Sequence, residues 1–170
     1  MKSSPSLFVE QLERLRDSED RAALARLRRG LGKRLGTPQM YPYVIPWIGK
    51  EQHQIERAML VASLFALHPD SAPRGQSMGT VFRQMQDGSN QSSLERRFAG
   101  LLAASIEDIG GHLRHAVSLA KSKDVRVDYD TLFKDLGYWN HPDRFVQLRW
   151  AREFWTQAAD KEPQTKIQGE

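Results

Sequence analysis

The residues of this chain best equipped for chemistry are cations. The segment Arg21-Ala-Ala-Leu-Ala-Arg26-Leu-Arg28-Arg29-Gly-Leu-Gly-Lys33-Arg34 carries six basic residues and no acid. Arginine stays ionised and presents a planar fork of donors that matches a phosphate. A run of this kind therefore faces a polyanion, or it is a solvated helix face. Gly30 and Gly32 follow the paired arginines and would let another backbone approach closely. Further cations stand at Arg96, Arg97, Arg114 and Lys121.

Other candidates carry less. His112 and His115 are three apart and could share a metal ion, but a closed site needs further ligands and none accompany them. Asp128 and Asp130 have the look of a magnesium-holding nuclease pair. The more economical reading makes one of them the N-cap of a helix over residues 131–137. Residues 70–79 form a glycine-containing loop entering a helix, a shape that can cradle phosphate, yet the Gly-Lys-Ser/Thr of a nucleotide-binding P-loop is missing. Cysteine is absent, which removes disulfides, thiolate metal sites and thiol nucleophiles. No nucleophile–base pair emerges, so an enzyme is the least expected class, with no catalytic residue, metal or cofactor assigned.

The elements that must position these cations are helical. Leu7, Phe8, Leu12 and Leu15 recur at three and four, and the pattern resumes at Ala23, Leu24, Leu27 and Leu31. Ser18 is the expected N-cap of this second, basic helix, which with its exit turn covers 19–34; its C-terminal arginines also suit the helix dipole. Residues 37–49 hold three prolines among large aromatics and read as a packed connector with a short helical turn at most. Tyr41, Tyr43 and Trp47 could stack on bases, but their apolar neighbours favour the core.

Residues 51–68 make a long, largely buried helix closed by Pro69, with His68 at its end. Ser92 and Glu95 have the spacing of a capping box, which would put Arg96 and Arg97 in a first turn, against the dipole. A helix over 108–122 carries His112, Arg114, His115 and Lys121, with Leu113, Val117 and Leu119 towards the core. Residues 125–130 alternate briefly without an evident partner strand, and a last helix over about 141–159 repeats Phe145, Leu148, Trp150, Phe154 and Trp155.

At 170 residues and net charge +4, the chain suits one domain or one core with a smaller helical lobe, and favours polyanions as partners. It has neither an apolar signal-peptide core nor a run near the roughly twenty apolar residues that span a bilayer. A soluble, cytoplasmic protein without a membrane partner is the expectation.

The order of motifs resembles a known family. Residues 23–33, Phe65-Ala-Leu-His-Pro69, Ser77-Met-Gly-Thr80 and Ser93-Leu-Glu-Arg-Arg-Phe98 come first. They are followed by residues 112–122, by 128–136 with Trp139, and by Arg149-Trp-Ala-Arg-Glu-Phe-Trp155. Together they are similar to the small subunit, the CasB family, of the type I-E CRISPR Cascade surveillance complex, over nearly the whole chain; segment 39–52 matches least. The resemblance implies an all-α protein of about eight helices in two small packed bundles, 1–90 and 91–160, with a polar tail at 161–170. It further implies a non-catalytic role beside crRNA-guided Cascade subunits and a second copy of itself. There it would stabilise the R-loop by sequence-independent contacts to single-stranded DNA, chiefly the displaced strand. Arg26, Arg28, Arg29, Lys33, Arg34, Arg96, Arg97, Arg114 and Lys121 would make those contacts if they share a face. A helix-turn-helix duplex binder and a scaffold without nucleic-acid contact are the alternatives. The first lacks the Asn, Gln or Ser set that reads bases.

Overall fold

A computed structural model describes residues 6–156, and the chain folds there as an all-α protein. The polar tail at 161–170 and the expected end of the last helix lie outside the described residues. Helix α1 (Leu7–Asp17) buries Phe8, Val9, Leu12 and Leu15. Glu19 then turns the chain in the left-handed region, at φ 56°. That turn delivers Asp20, not Ser18, to the N-cap of α2 (Arg21–Arg28), where its carboxylate accepts from the Ala23 amide at 3.0 Å.

The proline-rich connector is more ordered than its composition suggests. Three single turns run head to tail: a 3-10 turn at Pro38–Met40, α3 (Tyr41–Val44), and a second 3-10 turn at Ile45–Trp47. Each has a proline in its first or second position. There the missing N–H has no intrahelical partner to lose, so proline starts a turn as readily as it breaks one. Tyr41 is exposed, against the expected core placement, whereas Tyr43 and Trp47 pack partly against the core.

Helix α4 (Gln52–Leu67) is the central strut, burying Ala58, Met59 and every residue from Val61 to Ala66. Its end is locked from inside. His68 is buried with Nε2 2.7 Å from the Val125 carbonyl, and the Tyr129 hydroxyl donates to the His68 carbonyl at 2.5 Å. Burial pushes the Tyr129 phenol well above its ordinary pKa. Residues 125–130 do find an extended partner. Ser71 and Val127 form one parallel bridge, with Val127 donating to Asp70 and Ala72 donating to Val127.

Helix α5 (Met78–Gln84) lies on α9 (Phe145–Trp155) so closely that a Cβ on Gly79 would fall 2.1 Å from the Trp150 carbonyl oxygen. Between them in sequence come α6 (Gln91–Ala103), α7 (Ile109–Ser122) and α8 (Tyr129–Leu136). Helix α6 begins one residue before Ser92, with Asn90 as its cap residue, so no capping box forms. The Asn90 side chain is held elsewhere, accepting from Asp87 and donating to the Met85 carbonyl. Arg96 and Arg97 therefore sit in the second turn, past most of the dipole's reach. Because α5 packs on α9 while α4 packs on α7 and α8, one hydrophobic cluster crosses residue 90.

Candidate nucleic-acid interface

Helix α2 buries Ala23 and Leu27, which turns Arg26, Arg28 and the following Arg29 to solvent. The nine cations singled out in the sequence then divide. Arg26 donates to the Tyr43 hydroxyl at 2.6 Å, and Arg34 forms an ion pair with Glu56, so both serve the connector and α4. Arg28, Arg29 and Lys33 are exposed and make no side-chain hydrogen bond or ion pair with the described residues. The two glycines between them differ. Gly30 is buried, and a Cβ there would strike the Met40 sulfur at 2.2 Å, so it serves packing and not the approach of a ligand. Gly32 is exposed at φ 77°, and Arg114 Nη1 lies 3.8 Å from where its Cβ would stand.

That last distance joins α7 to the α2 exit. Lys121 follows Arg114 by seven residues and lies within about 20° of it round the helix. His112 is about 160° away on the other flank, across the solvent side, since Leu113, Ala116, Val117 and Ala120 face the core. There His112 and His115 meet Arg96 and Arg97 of α6 round an open cavity of about 380 Å³, floored by Phe82, Ala116 and Leu119. Arg114 thus reaches Gly32 at the α2 exit, while Arg96 and Arg97 line the cavity with His112 and His115. The pairing of α6 with α7 was the missing information. Residues 96, 97 and 100 against 112, 115 and 119 have the three-and-four spacing of two helix ridges, a signal that names faces but not partners.

The remaining chemical candidates are internal. Asp128 caps α8, its carboxylate accepting from the Thr131 amide at 3.0 Å and the Thr131 hydroxyl at 2.6 Å. The same carboxylate accepts from the Gly75 and Gln76 amides at 2.7 and 3.1 Å. The loop at 70–79 does cradle an anion, and that anion is Asp128. Arg74, beside it, pairs with Glu13 at 2.9 Å, and Arg83 donates to the Glu153 carbonyl. Asp130 accepts from the Ser6 amide and from Lys134, each at 2.7 Å. Asp135 takes Arg149 and the Trp150 indole N–H, yet burial outweighs both and holds its carboxyl above the ordinary range. Among the described residues no three His, Asp or Glu side chains are placed to hold a metal ion, and no helix is long and apolar enough to cross a membrane.

The comparisons with known proteins agree with one another. Residues 23–155 match the family model for the CRISPR-associated protein Cse2. A CRISPR-associated protein Cse2 from Thermus thermophilus is 35% identical over 164 residues, covering 94% of each chain. The crystal structure of CasB from Thermus thermophilus superposes with a TM-score of 0.76 at 34% identity, over 88% of this chain and 96% of that one. A chain of a CRISPR RNA-guided surveillance complex gives a TM-score of 0.74 at 26% identity, over 91% and 95%. With the family model matched over residues 23–155 and a relative 35% identical over 94% of each chain, this chain belongs to the CRISPR-associated Cse2, or CasB, family.

Proposed function

We propose that this protein is a non-catalytic subunit of a CRISPR Cascade surveillance complex, and that it stabilises the R-loop by sequence-independent contacts to DNA, chiefly to the displaced strand. The observation that carries the reading is the basic patch at the α2 exit. Arg28, Arg29 and Lys33 stand exposed with no acid of the described residues paired to them, and Arg114 reaches Gly32 in the same turn. Exchange of a DNA duplex for a guide–target duplex is nearly balanced in energy, so modest affinity for the released strand tips it. Cations that neutralise phosphates supply such affinity by releasing counterions, whatever the base sequence. Other guide-RNA-bound subunits and a second copy of this chain complete the assembly in this reading. A cytoplasmic location goes with it.

The test is binding of the purified protein to unrelated single-stranded DNAs across a salt series, with duplex as the comparison. Affinity should be similar across sequences and fall with salt by a slope near −0.7 per neutralised phosphate. Arg28→Glu with Arg29→Glu should flatten that slope by about 1.4, two phosphates' worth, and shorten R-loop lifetime in the assembled complex. An unchanged slope and lifetime would remove the site. A marked preference for one duplex sequence would favour a base-reading protein instead.

A further inference from the structure

Arg57 stands on α4 with its guanidinium unmatched among the described residues. It has neither a hydrogen bond nor an ion pair with them, and its Nε is enclosed without an acceptor. Its Cζ lies over the Phe133 ring, 4.4 Å from the centroid. Burial draws its pKa below the ordinary arginine value. A buried donor with no acceptor is costly, and a charged one more so. Gly137 makes the arrangement possible, since a Cβ there would fall 2.0 Å from Arg57 Nη1. The backbone at Gly137 is right-handed, at φ −63°, which any residue adopts. The missing side chain therefore makes room for the guanidinium and answers no need of the turn.

The guanidinium opens onto a cavity of about 400 Å³, lined also by Ser6, Phe133, Lys134, Gly137 and Tyr138. Lys134 is ion-paired with Asp130, and among the described residues Arg57 has no counter-charge in this cavity. The rim is apolar. Tyr138 packs on Phe145 at 5.6 Å, and Leu148, one turn along α9, is 61% exposed. We propose that this cavity is a docking site for a carboxylate presented by a partner protein, with Arg57 binding the carboxylate and the partner's neighbouring apolar groups resting on Tyr138, Phe145 and Leu148. A planar guanidinium matches a carboxylate with two parallel hydrogen bonds. A nucleic-acid strand would call for a row of cations, whereas here Lys134 is already paired with Asp130 and the exposed rings of Tyr138 and Phe145 stand beside Arg57's cavity. Aromatic residues and arginine are also the side chains enriched where proteins meet.

The test uses isotope-labelled full-length protein titrated with acetate, phenylacetate and inorganic phosphate. It follows the Arg57 Nε–H resonance, identified by its loss in Arg57→Lys. Both carboxylates should move that resonance saturably, phenylacetate binding about fivefold more tightly through one added aromatic contact. Gly137→Ala, which keeps the backbone but puts a methyl group 2.0 Å from where Nη1 lies and so displaces the guanidinium, should weaken the response severalfold while leaving the melting curve intact. Tyr138→Ala should erase the advantage of phenylacetate over acetate and leave acetate binding unchanged. No movement with any probe, phosphate binding more tightly than phenylacetate, or a Gly137→Ala variant that titrates like the wild type would each overturn the proposal. Self-association of the wild type that Gly137→Ala abolishes would replace the partner with a second copy, and so overturn its choice of occupant.

Discussion

Asp128 and Asp135 lie inside the protein with both oxygens of each carboxylate engaged, whereas Arg28, Arg29 and Lys33 lie outside it, with no side-chain hydrogen bond or ion pair to the described residues. The two regions carry opposite charge and do different work. The acids tie elements together: Asp128 joins loop 70–76 to α8, and Asp135 joins α8 to α9. The cations at the α2 exit tie nothing within the described fold. Charge that satisfies buried donors is part of folding, and charge left in solvent is available to a partner.

Substitutions should separate the two regions by which property they change. Asp128→Ala should have the largest effect, about 2–4 kcal/mol of unfolding free energy, from a lost cap and two loop amides left without an acceptor. Denaturant titration reads this, and the salt slope for single-stranded DNA should stay that of the wild type. Gly79→Ala should follow at about 2 kcal/mol, because its Cβ meets the Trp150 backbone, which cannot swing aside. A loss below half of that would mean that α5 and α9 sit less closely than described.

Asp135→Asn sharpens the contrast through pH. Since burial raises the Asp135 carboxyl above its ordinary value of 3.8, the folded state favours the protonated form. Its contribution to stability is complete below that value and is lost as pH rises through the folded-state pKa. Whatever fixed offset the substitution brings, the stability of the Asn variant should therefore decline less over that window. Stability measured at steps upward from pH 3.8 tests it, and a steeper decline would reverse the assignment. The smallest effect belongs to the outer region. Arg28→Glu with Arg29→Glu should change unfolding free energy by no more than about 0.5 kcal/mol, since solvated arginines contribute little to folding. Marked destabilisation would make the α2 exit part of the fold.

The helical period was legible wherever one face of a helix is buried. Phe8, Leu12 and Leu15 of α1 and Leu113 and Val117 of α7 are core residues, as their spacing implies. Hydrophobicity alone misled on α9, where Trp150 and Phe154 are buried but Phe145, Leu148 and Trp155 are exposed, and a polar residue, Gln147, is inside. Its amide nitrogen donates to the Trp139 carbonyl at 2.7 Å, while its buried oxygen has no partner among the described residues. At α8 the sequence narrowed the cap to Asp128 or Asp130, and the fold gives it to Asp128. A cap was not legible where a neighbouring backbone turn chooses between candidates, as Glu19 does between Ser18 and Asp20.

By itself the sequence determined that the protein is helical, that the α2 exit is densely basic, and, through the order of its motifs, the family. Those properties follow from local spacing and from charge, which no packing arrangement alters. Only the tertiary structure decided which cations are free. It paired Arg34 with Glu56, set Arg114 beside Gly32, and set Arg96 and Arg97 round a cavity with His112 and His115. It also brought Gly137 against Arg57, eighty residues apart in a chain where neither shows its purpose alone. Side-chain neighbours are fixed by how helices cross, and crossing depends on every contact of the core at once.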